Sequence, residues 1–516
     1  NAIIANHRHD WNESLDYLDS VLSNENISAF AELKQLALQQ KGLVLIKLER
    51  PAEALFAFND AITIIEQRRG NVSTEAQKLG YFGDKNLPYQ QSIKLLISQG
   101  DDAAAFAMAE RARSRTLVDM LADTQARRGQ LPESLTTIEP SLLAANDATK
   151  SRSTNALSTE ETLTLRSRAL RRASPKERKE AEAKTLTSVQ SYSATDLQAL
   201  LKPSELLVEY VQLESQWYAF KVTSERVVAI ELNLSGLENR IEAYRHQLQE
   251  PTNTTYYKEA KALYRDLIVP LKLDTAQVLT IVPSGALNYL PFSTLHDGQQ
   301  YLIQRQAIKL LPSVTSKAFL QSKKTAPRLL AMGNPTGDLP GAEAEVAVLQ
   351  RMLKGTTTVK REQASESFLK QKGGRFNMLH IASHGEFNPA DPSASRLLLA
   401  PDAKNDGDLT MAEIYGLELN VNLVVLSACE TGLNEIKNGE EIFGLTRGFL
   451  YAGSSNVVAS LWKVDDRATK TLMEIFYQGL VHKPYAESLR DAQLSLQQGE
   501  FAHPFYWAAF QITGEG

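Results

Sequence analysis

A chain of 516 residues is too long for one hydrophobic core and predicts two or three domains. Its 43% hydrophobic and 23% charged residues suit a soluble globular protein, and no apolar run reaches the roughly 18 residues of a membrane span. A net charge of −5 excludes a global electrostatic pull toward nucleic acid or anionic membrane, and the single cysteine, Cys429, excludes an internal disulfide framework, which fits a cytoplasmic location.

Residues 1–125 read as helical repeats. In the segment from Pro51 to Ile62, the positions Ala54, Phe58 and Ala61 share one helix face, and Gly42 stands twelve residues before Ala54 in a helix carrying Leu36, Leu38 and Leu45. A glycine there lets two antiparallel helices approach closely. The pattern resembles a tetratricopeptide repeat, with intervals longer than the usual roughly 34 residues, and recurs weakly at Ser14, Leu18 and Val21 and at Ala105, Ala109 and Ala112. Such pairs must stack on neighbours to bury their faces. A plain α-bundle without a peptide-binding role is the alternative. The run from Arg111 to Arg115 reads as a solvated helix face packed on the next domain. Residues 126–195 read as a polar linker followed by a charged helical segment broken near Pro175, whose interleaved glutamates argue against a nucleic-acid arm.

Residues 196–516 change texture. Segments 205–211, 216–222 and 226–230 alternate with period two and predict a three-stranded meander. Helical stretches are expected at 236–249 and 256–271. Apolar strand candidates then alternate with helices: strands at 278–282 and 328–332, the His384 run 377–385, the Cys429 run 423–432 and 456–462, with helices near 341–354 and 440–452. This alternation predicts an α/β domain with a mainly parallel sheet covered on both faces.

Two of those strands end at reactive side chains. One runs from Asn377 through His380 to His384 and Gly385, the other from Leu423 to Ser427 and Cys429. Chemistry in open α/β sheets collects beyond the carboxyl ends of the strands, so adjacent parallel strands would set imidazole and thiol side by side. A cysteine nucleophile needs an imidazole to take its proton and backbone N–H groups to hold the oxyanion; Gly385 and Cys429 are the candidate donors. The alternatives are a buried, inert Cys429 and a structural histidine, with His380 competing for the role. His384 is preferred because it stands at the strand's end before a glycine. With one cysteine and no close histidine spacing, no metal site and no cofactor are expected.

His384 and Cys429 stand 45 residues apart, and Ser383-His384-Gly385-Glu386 matches the Ser-His-Gly-Glu motif of caspases. The string around the nucleophile, Ser427-Ala428-Cys429-Glu430-Thr431-Gly432, departs from theirs. With the segments Val282–Phe292, Leu339–Glu345, Val458–Asp466 and His503–Phe510, it makes the chain resemble the CHAT family, the caspase-like and separase-like proteases associated with tetratricopeptide repeats, over roughly residues 200–516. The resemblance implies a caspase-haemoglobinase-like domain, 196–516, with a pseudo-protease-like part at 196–325 and a catalytic part at 326–516. It implies peptide-bond hydrolysis with His384 as general base and Cys429 as nucleophile. It places Asp466 or Asp465 in the S1 pocket for a basic residue, although either could instead cap the helix that begins there; Ser427 replaces the aspartate that metacaspase-like enzymes carry two residues before the cysteine. It further implies a bacterial, partner-activated enzyme, with a regulatory protein or ribonucleoprotein engaging the repeats and the loop 434–440 moving on activation. An interaction scaffold with a non-proteolytic caspase-like domain is the alternative, and a Cys hydrolase of a small molecule is a third reading.

Overall fold

The computed structural model describes residues 5, 8–69, 85–113, 121, 192–273, 276–320, 322, 325–386, 395–427, 441–463 and 465–516. The expected nucleophile Cys429, the loop 434–440 expected to move on activation, and most of the linker at 126–195 lie outside them.

The chain divides into two compact units. The first comprises residues Asn1–Asp101 and Ala107–Tyr192, the second Asp102–Phe106 and Ser193–Gly516. In the first, helices Trp11–Leu22, Ala31–Lys47, Pro51–Arg69 and Leu87–Ser98 each pack on the next. The three-residue turn between Lys47 and Pro51, with Glu49 in the left-handed region, makes the two longest of them antiparallel. Ala54, Phe58 and Ala61 are fully buried, as their shared face requires. Gly42 lies under the Phe58 ring so closely that an added Cβ would sit 2.4 Å from Cε1. Gly42→Ala is therefore expected to lower this unit's stability by about 1–3 kcal/mol, because a buried ring cannot retreat; a melt followed by circular dichroism checks this, and an unchanged transition would refute the packing. Leu36 is half exposed rather than buried, the core-facing positions being Leu38, Gly42 and Leu45. Arg111 is not a solvated cation either: it makes two 2.8 Å bonds to Glu66, which also accepts from Tyr89.

Among the described residues, the second unit holds an eleven-stranded sheet in the order β3-β2-β1-β4-β5-β14-β13-β12-β8-β6-β7. The meander is β1 (Glu205–Leu213), β2 (Gln216–Val222) and β3 (Val227–Leu232), antiparallel as expected. β1 pairs in parallel with β4 (Val278–Val282), which is followed by β5 (Ala307–Leu310). The other half holds β6 (Leu329–Gly333), β7 (Thr357–Lys360), β8 (Met378–Ala382), β12 (Leu423–Leu426) and β13 (Asn456–Ser460), all parallel. The last strand, β14 (Phe510–Gly514), runs antiparallel to β13 and parallel to β5, and closes the gap between the halves. A small separate sheet consists of β9 (Gly385–Glu386), β10 (Arg396–Leu398) and β11 (Asp408–Thr410).

The mainly parallel α/β fold is the one the alternation of strands and helices predicts. β6, β8 and β12 are buried at every residue, because a parallel sheet is covered on both sides, and so they read as continuous apolar runs. One face of the sheet packs on helices Leu237–Leu248, Tyr256–Leu267, Pro340–Met352, Asp466–Gly479 and Tyr485–Leu496, with Trp462 and Trp507 fully enclosed. Several of the family-like segments are core: Leu287, Tyr289, Leu290 and Phe292 are buried, and Trp507 donates its indole N–H to the Ala502 carbonyl.

A candidate active site at the ends of two parallel strands

β12 lies beside β8 in parallel, with Leu423 opposite Met378 and Leu426 opposite Ile381. The register continues to Ser427, whose N–H donates to the Ile381 carbonyl at 2.9 Å. The two strands chosen from sequence as carriers of His384 and Cys429 are thus neighbours, and both stop at the same sheet edge. Cys429 follows Ser427 by two residues and lies outside the described residues.

β8 ends at Ala382. His384 falls two residues beyond it, so strand alternation does not carry its side chain onto the face of His380. His380, inside β8, is completely buried: Nδ1 is 3.1 Å from the Tyr477 hydroxyl and Nε2 is 3.2 Å from Glu345 Oε1. It does not compete with His384 for an accessible site. His384 is partly exposed, its carbonyl accepts from Leu398 N–H, and Gly385 pairs with Leu397. Gly385 therefore opens a second short strand rather than a loop.

One partner of His384 is a residue that the motifs do not name. Nε2 lies 2.9 Å from Asp338 Oδ2, a carboxylate 63% exposed. Asp338 belongs to the turn after β6, and Asn334 shapes that turn from a left-handed backbone conformation. Its N–H donates to the Ala382 carbonyl at 2.9 Å, its Oδ1 accepts from Leu339 N–H at 2.7 Å, and its Nδ2 donates to Glu343 at 2.7 Å. Asparagine tolerates that conformation better than most residues and satisfies the turn with both ends of its amide. The Thr336 hydroxyl and then His384 hold the Asp338 carboxyl below its ordinary range, so it is an anion near neutrality. The available signal was an acidic residue just ahead of Leu339-Pro340-Gly341, in a strand-to-helix turn at the carboxyl edge of the sheet.

Of the two S1 candidates, Asp465 is the N-cap of helix Asp466–Gly479, accepting from Arg467 N–H at 2.9 Å and Ala468 N–H at 3.0 Å. Asp466 is exposed, and its carboxylate rests on Gly341 at the start of helix Pro340–Met352. A Cβ on Gly341 would meet Oδ2 at 2.2 Å, which is why glycine follows Pro340. Asp338 and Gly341, three residues apart, thus touch His384 and Asp466 respectively. No helix of the described residues is long and apolar enough to cross a membrane.

A family model described as the CHAT domain matches residues 257–515. Tetratricopeptide repeat protein 28 of Homo sapiens and of Mus musculus are each 26% identical over alignments of 322 and 321 positions that cover 49% of this chain and 13% of those proteins. The chain therefore spans 13% of the length of the curated relatives it matches. Two crystal structures of the Saccharomyces cerevisiae separase–securin complex align with 98% of this chain and 49% of theirs, at TM-scores of 0.43 and 0.42 and identities of 10% and 11%.

Proposed function

We propose, from the premise that this chain belongs to the CHAT domain family, that it is a cysteine endopeptidase acting through His384 and Cys429. The observation that carries the reading is the parallel pairing of β8 with β12, which ends the His384 strand and the strand leading to Cys429 side by side. In the proposed reaction the Cys429 thiolate attacks the scissile carbonyl after His384 takes its proton. The same proton passes to the leaving amine, and water activated by His384 hydrolyses the thioester. The N–H groups of Gly385 and Cys429 are the proposed oxyanion donors. Asp338 acts as a positioning residue that sets the His384 ring.

Asp466 is the proposed S1 acid for a basic P1 side chain. It is exposed, whereas Asp465 already spends Oδ1 on the helix cap. Phe30, Leu33, Leu36 and Phe56 are between half and nearly three-quarters exposed on the helical repeats, which supports a protein partner regulating the enzyme there.

A positional-scanning peptide library, incubated with the protein with and without candidate partners, tests both claims. Cleavage after Arg or Lys is expected, with Asp466→Asn losing about 10–100-fold in kcat/KM on such substrates through the lost ion pair. Cleavage after Asp would overturn the S1 assignment and leave the nucleophile standing. The second reading is an interaction scaffold, favoured by relatives that bear the tetratricopeptide name. Absence of cleavage with every cognate partner would establish it.

A further inference from the structure

A buried polar chain lies directly beneath the carboxyl ends of β8 and β12. Ser427 Oγ–H donates to Glu345 Oε2 at 3.1 Å, Glu345 Oε1 faces His380 Nε2 at 3.2 Å, and His380 Nδ1 meets the Tyr477 hydroxyl at 3.1 Å. The four residues come from four elements: the end of β12, helix Pro340–Met352, β8, and helix Asp466–Gly479. Glu345, His380 and Tyr477 are almost completely buried. Glu345 Oε1 and His380 Nε2 have no aligned hydrogen-bond partner among the described residues, so each depends on the other.

The proton positions follow from elementary repulsion. Burial, and then the neighbouring Glu345, push the Tyr477 hydroxyl far above its ordinary range, so it keeps its proton. An unprotonated Nε2 would set its lone pair against a carboxylate oxygen at 3.2 Å. The consistent arrangement is Tyr477 O–H donating to Nδ1, with the second ring proton on Nε2 beside Glu345 Oε1 and the other Glu345 oxygen accepting from Ser427. The Glu345 carboxylate then has the Ser427 hydroxyl on one oxygen and the His380 ring beside the other, and a buried carboxylate in such a site is stable only while those neighbours stay in place.

Ser427 is the last described residue before Cys429. Its backbone is tied to Ile381 and its side chain to Glu345. Glu345 ends the family-like segment Leu339–Glu345, which begins one residue after Asp338. We propose that Glu345 is a positioning residue for the nucleophile: held by His380 and Tyr477, it pins Ser427 and so sets where the chain delivers Cys429. One short segment then braces both halves of the site, Asp338 at His384 and Glu345 at Ser427. The consequence for catalysis rests on the cysteine-peptidase reading; the positioning of the thiol does not.

Cys429 is the sole cysteine, so alkylation by iodoacetamide, followed by mass spectrometry, reads that thiol alone. The full chain is compared with Ser427→Ala, Glu345→Ala, Glu345→Gln and the double variant Ser427→Ala/Glu345→Ala, measuring the alkylation rate from pH 5 to 9 and peptide kcat and KM. Ser427→Ala and Glu345→Ala are expected to change the alkylation rate about 3–10-fold and to lower kcat about 10–100-fold with KM nearly unchanged, the effect of a displaced nucleophile. The double variant should be no worse than the more severe single, since both break one link. Glu345→Gln, whose amide oxygen still accepts from Ser427, should return to within about 3-fold of wild type. Should Glu345→Ala not fold, Ser427→Ala and Glu345→Gln decide the matter. A wild-type alkylation profile for Ser427→Ala, or additive losses in the double variant, would overturn the proposal. A wild type that cleaves no peptide would sink the peptidase reading while the alkylation arm still judges the brace.

Discussion

Cys429→Ala and His384→Ala are each expected to reduce kcat/KM for peptide hydrolysis by at least about 10³-fold, without a matching loss of thermal stability. The size follows from what each group supplies. Without the thiol no acyl-enzyme forms; without the imidazole the thiol keeps its proton and the leaving amine receives none. In the proposed reaction both groups serve one covalent step, so removing the two together should cost about as much as removing one. Asp338→Asn belongs to the same series with a smaller effect, about 10-fold, since it keeps the hydrogen bond to Nε2 but replaces an anionic acceptor by a neutral one. The graded order, large for His384 and Cys429 and modest for Asp338, distinguishes an orienting carboxylate from a catalytic one. Undiminished hydrolysis by Cys429→Ala would remove this chain from the cysteine peptidases and leave the scaffold reading.

Glu205→Gln is expected to produce the largest loss of stability in the second unit, about 3–5 kcal/mol near neutral pH. Glu205, at the start of β1, is buried together with Lys309 of β5 and with Lys317, accepting from both ammonium groups and from the Thr280 hydroxyl. The variant would strand two buried cations without their anion. The pH dependence identifies the cause. Burial alone would raise the Glu205 carboxyl, but the two lysines outweigh it and hold the pKa at about 2, against 4.5 when unperturbed. The folded state therefore binds fewer protons than the unfolded state between those values, so stability from this group is fully present above about pH 4.5 and is lost as pH falls toward 2. Lys309 works in the opposite range: burial, only partly offset by Glu205, lowers it to about 8. Its cost is present at neutrality and is relieved between about pH 8 and 10.5, where stability rises with pH. Chemical denaturation at pH 3, 5, 7 and 9.5 should show a steeper acid loss in wild type than in Glu205→Gln. A variant within 1 kcal/mol of wild type at pH 7 would mean that the lysines are not held as buried cations.

Much of this protein is legible from local pattern. The period-two run around Trp217 gives the meander, and the spacing of Gly42 with Ala54 and Phe58 gives a close helix pair. The apolar runs before His384 and Ser427 give two buried parallel strands. In each case the determining pattern lies within one strand, within one hairpin, or within two helices joined by a short turn, so the amino-acid order alone specifies it.

What only the tertiary structure decided are pairings between residues far apart in the chain. Asp338 meets His384 across 46 positions, Glu345 meets Ser427 across 82, and Lys317 meets Glu205 across 112. Nothing in the strings around these residues names the partner, because the crossovers of a parallel sheet choose which ends become neighbours. The assignments that needed correction have the same origin. Arg111 reads as a solvated cation until Glu66 is seen beside it, and His380 reads as a rival to His384 until its burial against Tyr477 is known. Asp465 and Asp466 are adjacent and identical in type, and they are separated only by the helix that starts between them: one closes its first turn, and the other faces Gly341. Local periodicity specifies strands and helices, whereas the environment that makes a carboxylate a cap, a brace or a binding group exists only once the sheet has brought distant segments together.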